Sequence, residues 1–157
     1  MALRTTGPGV TCMTGEPALV DSNIFAYAFD ASEPAKQEAA RDLLTRCWTR
    51  EAEYSVSVQN LAEFAVIVTE KVANPLPYET VQEFISAIWR FDNWYKIAYS
   101  GDTIVKALKI RSDHAIHFWD ALIVATMQEH GIDTIFSEDR QLPNLPLVTV
   151  INPFRES

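Results

Sequence analysis

At 157 residues, with 48% hydrophobic content and a formal net charge of −8, the chain is sized for one domain whose core needs no disulfide or structural metal. The acidity excludes a generic nucleic-acid binder, which would carry a basic surface that releases counterions from phosphates, so any nucleic-acid role must be local. No segment approaches the roughly 20 apolar residues that span a bilayer, and no continuous apolar secretory core opens the chain. Cys12 and Cys47 follow neither C-x-x-C nor zinc spacing, and these features together predict a cytoplasmic protein with two free thiols and no membrane attachment.

In chain order, Met1 to Pro17 is rich in Thr, Gly and Pro without periodicity and reads as a disordered leader ahead of a domain over residues 18–157, with Met13 an alternative translation start to Met1. The run Ala18 to Val20 is strand-like. Ala35 to Trp48 repeats Ala39, Leu43, Leu44 and Cys47 at helical spacing, with Lys36, Arg41, Arg46 and Arg50 on a solvated, charge-mixed face. Tyr54 to Val58 is a second strand, and Leu61, Phe64, Ala65, Val68 and Val72 form the stripe of a second helix. Pro75 and Pro77 break that helix and start another along the stripe Val81, Phe84, Ile85, Ile88 and Trp89. Trp94 to Ala98 is a third strand, and Gly101 to Thr103 opens a helix through Lys109. A further helix around Asp120 ends at Gly131, followed by strands Asp133 to Phe136 and Leu147 to Ile151. This alternation predicts an α/β domain with a mainly parallel sheet of about five strands flanked by helices.

Four carboxylates stand out because their surroundings offer no cation. Asp120 sits in the apolar run Phe118 to Met127, and Glu63 in Asn60 to Val68. Neither has Lys or Arg at helical spacing, although burying an ionised carboxylate is costly unless it is paired or metal-bound. Asp21 follows the first strand and Asp139 follows the fourth, so both fall at the carboxyl edge of the sheet, where α/β folds bind ligands. Carboxylates within about 4 Å repel by roughly 4 kcal/mol per pair at an effective dielectric near 20. Such a cluster either protonates or binds a hard cation, and oxygen ligands suit Mg²⁺ or Mn²⁺. A bound water could then attack a phosphoryl group.

Each residue also has a structural role open to it. Asp21 can cap a helix, and Asp139 can close a turn. Asn23 and Ser137 can either cap or orient a ligating acid. Trp94 and Trp119 could stack on bases, though both windows read as core. His117 could pair with Asp120 or lie at the surface. An aspartyl-phosphate chemistry is disfavoured, because Asp21-Ser22-Asn23 lacks a second aspartate and no Gly-rich phosphate loop occurs.

The ordered set Leu19-Val20-Asp21-Ser22-Asn23-Ile24-Phe25, Asn60-Leu61-Ala62-Glu63-Phe64, Phe118-Trp119-Asp120-Ala121-Leu122-Ile123-Val124-Ala125 and Ile135-Phe136-Ser137-Glu138-Asp139, with the tail Val150-Ile151-Asn152-Pro153-Phe154, resembles the PIN domain and within it the VapC-type toxins of toxin–antitoxin operons. The resemblance implies a Mg²⁺- or Mn²⁺-dependent endoribonuclease. Asp21, Glu63, Asp120 and Asp139 would match the acidic quartet, with Asn23 and Ser137 at accessory polar positions. It also implies an RNA substrate, a homodimer and a cognate antitoxin that blocks the site. Glu138 competes with Asp139 for the fourth place, and the leader is longer than is usual for the family. A PIN-fold protein that has lost catalysis and serves as a binding or scaffold module is the alternative expectation.

Overall fold

The computed structural model describes residues 16–142 and 145–155. Among these residues, five strands and six α-helices follow one another. They are β1 (Leu19–Val20), α1 (Ser22–Tyr27), α2 (Pro34–Trp48), β2 (Tyr54–Ser57), α3 (Val58–Glu70), α4 (Tyr78–Arg90), β3 (Trp94–Ile97), α5 (Gly101–His114), α6 (Phe118–Glu129), β4 (Thr134–Phe136) and β5 (Thr149–Ile151). All strand pairs are parallel, in the order β3-β2-β1-β4-β5. The chain therefore builds outward from β1 in one direction and returns to its other side with β4. The boundary between β1 and β4 is the switch point at which such sheets open a crevice.

Both faces of the sheet are covered, as parallel sheets require. Alternate residues serve opposite cores: Val20 and Phe136 pack with α1 to α4, and Leu19 and Ile135 pack with α5 and α6. The first core is aromatic, with Phe25 lying 5.7 Å from Trp94 and 6.1 Å from Phe64 between ring centroids. The second is aliphatic and centres on α6, where Ala121 to Met127 are all buried. Gly131, at φ 69°, ends α6 in the left-handed turn expected of a glycine, with the Ile132 amide returning to the Met127 carbonyl at 2.9 Å.

The expected parallel α/β sheet is present, with shifted element ends. The last strand begins at Thr149 rather than Leu147, and α3 begins at Val58, where the second strand was expected to end. Arg50, read as continuing the charged face of the Ala35 to Trp48 helix, lies beyond α2 at φ 63° and pairs with Asp92. Residues 1–15 of the expected leader, and Cys12 with them, lie outside the described residues, but Pro17 is buried and its carbonyl accepts the Ser55 hydroxyl at 2.6 Å. Cys47 is a free, buried thiol that burial pushes up to about 11. No helix among the described residues is long and apolar enough to cross a membrane.

Candidate functional site

The switch point brings Asp21 and Ser137 together. Asp21 leaves β1 and caps α1, its Oδ1 accepting from the Ser22 amide at 2.8 Å. Ser137, just past β4, donates its hydroxyl to Asp21 Oδ2 at 2.6 Å, and Asn60 donates to Oδ1 at 3.2 Å. Asn60 is itself fixed by Ser57, the cap of α3. The Ser57 hydroxyl accepts from the Asn60 amide at 2.9 Å and donates to its side-chain oxygen at 2.6 Å. One carboxylate is thus aimed by donors from three separate parts of the fold.

Glu63 lies farther along α3. The Ser22 hydroxyl reaches its Oε2 at 3.1 Å, and Gln59 donates to its Oε1 at 2.7 Å and to the Trp119 carbonyl at 2.9 Å, tying α3 to the first turn of α6. Asp120 stands in that same turn, and its carboxylate accepts no hydrogen bond among the described residues. Asp139 closes a turn in which its amide donates to the Ser137 hydroxyl at 3.0 Å and its Oδ1 accepts from the Gln141 amide at 2.8 Å. Its position as a turn residue and its approach to the other acids coexist.

The carboxylates feel one another. Burial raises Asp21 above the usual carboxylate range; the Ser137 and Ser22 hydrogen bonds oppose that rise, and the charges of Glu63 and Asp139 add to it. Asp120 is pushed up to about 6, first by burial and then by the charges of Asp139 and Asp21, with His117 pulling the other way. No Lys or Arg is among the leading influences on either group. Glu138 differs from its neighbour. It pairs with Lys36 at 2.5 Å, and although burial raises it, the Lys36 and Tyr27 hydrogen bonds outweigh that and hold it low.

A divalent cation is tested by the donor set. Asp120 has unsatisfied carboxylate oxygens, and Asn23 presents a buried side-chain oxygen without a partner. Every available donor is a hard oxygen, which fits Mg²⁺ or Mn²⁺ and disfavours softer metals. No three His, Cys, Asp or Glu among the described residues are spaced as a ready-made metal cage. Bare carboxylates repel, and the same repulsion is what a cation would relieve.

The edge opens into a groove of about 500 Å³ bounded by Glu63, Asp120, Lys71, Tyr99 and Trp119. Trp119, expected in the core, is 59% exposed here, whereas Trp94 is buried among the sheet aromatics. His117 is exposed at the N-cap position of α6, where its side chain makes no capping hydrogen bond. Sequence reasoning passed over Ser22, Gln59 and Asn60 as donors to the acids. The signal was present in part, because Gln59 and Glu63 stand four positions apart on one helix and can bond along its face.

The PIN domain profile matches residues 18–147. Comparison with curated protein sequences finds no significant match. Among solved structures, a toxin–antitoxin complex from Klebsiella pneumoniae superposes with a TM-score of 0.62 at 20% identity, covering 87% of this chain and 97% of that one. VapC20 of Mycobacterium tuberculosis, described as a sarcin–ricin-loop-cleaving toxin, gives 0.57 at 18% identity over 83% of this chain and 98% of its own. VapBC2 of Rickettsia felis, solved with a promoter DNA fragment, gives 0.59 at 16% identity over 86% and 97%. At these identities the superpositions speak to fold.

Proposed function

This chain belongs to the PIN domain family, and from that premise we propose that it is a Mg²⁺- or Mn²⁺-dependent endoribonuclease, the toxin of a VapBC-type pair. The observation that carries the reading is that Asp21, Glu63, Asp120 and Asp139 share one edge of the sheet, where burial and then neighbouring carboxylates raise Asp21 (Glu63 and Asp139) and Asp120 (Asp139, Asp21 and Glu63), with no Lys or Arg among the leading influences on either. In this reading these four acids hold the metal. When bound, it would supply positive charge for the phosphoryl oxygens and a water acidified for attack. The rest falls to the chain. Ser137 and Asn60 orient Asp21, Ser22 and Gln59 orient Glu63, and Asn23 offers a further oxygen at the site.

Partners follow from the same reading. Neighbours in fold include toxin–antitoxin complexes, which supports a cognate antitoxin covering the edge. The exposed apolar residues Val105 and Leu108 on α5 give a second copy of the chain something to bury, in keeping with a homodimer. RNA is the substrate and the cytoplasm the working compartment.

The test is cleavage of end-labelled RNA with Mg²⁺ or Mn²⁺. Wild type should cut it without forming 2′,3′-cyclic phosphate ends, since water and not the ribose hydroxyl attacks. Asp120→Asn should lose at least about 100-fold in rate. Equal cleavage by the variant, with contaminants excluded, would overturn the mechanism. The non-catalytic scaffold reading draws on one observation, that no three His, Cys, Asp or Glu among the described residues stand as a ready-made metal cage. Absence of cation binding by the wild type in calorimetry would favour it.

A further inference from the structure

A chain carrying a net charge of −8 that works on RNA must offer phosphates a local welcome, and several of its described cations are engaged elsewhere. Lys36, Arg50, Lys106 and Lys109 sit in ion pairs with Glu138, Asp92, Glu129 and Asp113. Arg41 and Lys96 donate to the carbonyls of Ala28 and Phe91. Arg111 makes no ion pair or side-chain hydrogen bond among the described residues, and it lines a concavity of about 510 Å³ at the corner between α5 and α6 together with His114, His117 and Gln141.

The corner is built to gather these groups. Ala115 turns the chain at φ 54°, a left-handed conformation that costs a β-carbon-bearing residue about 1 kcal/mol or more, and the Ala115 amide returns to the Arg111 carbonyl at 2.9 Å. The turn sends His114 and His117, on opposite sides of it, into the same concavity as Arg111. The concavity also abuts the acid edge. The Gln141 amide donates to Asp139, and the charge of His117 acts on Asp120.

We propose that this α5–α6 corner is a phosphate subsite that binds the RNA backbone beside the bond being cut, with the Arg111 guanidinium as its principal anchor and His114, His117 and Gln141 as further N–H donors. The inference rests on the nuclease reading for its ligand, and its anchor, Arg111, belongs to α5 and is not one of the acids' partners. Guanidinium suits the site because its fork of donors matches a phosphodiester's paired oxygens, and an imidazole donates an N–H in either protonation state.

The experiment uses a labelled single-stranded RNA of about 12 nucleotides and the full chain. In EDTA, fluorescence anisotropy should show Arg111→Gln binding about five- to tenfold more weakly than wild type. The slope of log affinity against log salt should fall by about 0.7, the loss of one phosphate contact on a single strand. Arg111→Lys should restore the slope, which also separates lost charge from lost folding. With Mn²⁺, Arg111→Gln should raise KM with kcat held within about twofold. Unchanged affinity and slope in Arg111→Gln, with cleavage intact, would overturn the subsite and leave the nuclease reading standing. Weakened RNA binding in a protein that cleaves nothing would uphold the subsite while removing the nuclease. Loss of affinity for an acidic peptide with RNA binding unaffected would also overturn the subsite, assigning the corner to a protein partner.

Discussion

The acids at the carboxyl edge of the sheet and the acids elsewhere on the surface have opposite electrostatic fates. Asp92, Glu129 and Glu138 each meet a cation, from Arg50, Lys106 and Lys36, and each is held below its ordinary range. Asp21 and Asp120 are raised instead, first by burial and then by carboxylates, Glu63 and Asp139 acting on Asp21 and Asp139, Asp21 and Glu63 on Asp120. Glu138 and Asp139 are adjacent in sequence, yet the first turns to Lys36 and the second contributes to the field on Asp21 and Asp120. An acid that has been given a counterion is finished electrostatically. An acid left without one stores a charge deficit that a ligand can relieve.

The sharpest way to break this contrast is to supply a cation. Mn²⁺ at about 100 times its dissociation constant should stabilise the protein by roughly 2.7 kcal/mol, which raises Tm by about 5–10 °C for a domain of this size. Asp120→Asn should abolish most of that shift in a thermal melt, and an undiminished shift would take Asp120 out of the metal-holding set.

A smaller effect, of opposite sign, is expected without metal. Because burial and the neighbouring carboxylates push Asp120 up to about 6 in the folded protein from an ordinary 3.8, the native protein holds more protons than the unfolded chain between those values, and its stability falls as pH rises through that window. Neutral Asn should therefore stabilise the EDTA-treated protein by about 1–2 kcal/mol at pH 7, after allowing for partial solvent screening, and by close to nothing at pH 3. Urea unfolding at both pH values measures this. An Asn variant less stable than wild type at pH 7 would mean that the carboxylate has a partner after all.

The smallest effect belongs to the paired acid. Glu138→Gln should cost about 1 kcal/mol or less, as expected for a half-buried ion pair, and leave the Mn²⁺ response within about twofold. If instead it removes the response, Glu138 and not Asp139 is the fourth acid.

How legible this was depended on range. Strands of two to four apolar residues and helices with clear stripes declare themselves locally, so the five-stranded parallel sheet could be read ahead of the structure. Asp120 and Glu63 drew attention because an apolar window offers a carboxylate nothing. What escaped was what distant residues supply. The Lys36–Glu138 pair joins residues 102 positions apart, and Ser137 reaches Asp21 across 116. Ser22, Gln59 and Asn60 look like ordinary helix-start polar residues until the sheet brings their acceptors near. Trp119 was misplaced because α6 is apolar almost all round. Its buried stretch begins at Ala121, two residues after the exposed indole, and periodicity cannot mark that edge.

The Ser137–Asp21 hydrogen bond lies across the seam where β1 and β4 part, so Asp21 is a fastener whatever else it does. Hydrogen bonds to charged groups contribute about 1.5–3 kcal/mol, and clearing the Asp21 side chain would loosen the centre of the sheet. Asp120, which holds nothing together, can be neutralised without that penalty. A form of the protein with this edge partly neutralised and the sheet intact is therefore better made at Asp120 on helix α6 than at Asp21 on the seam.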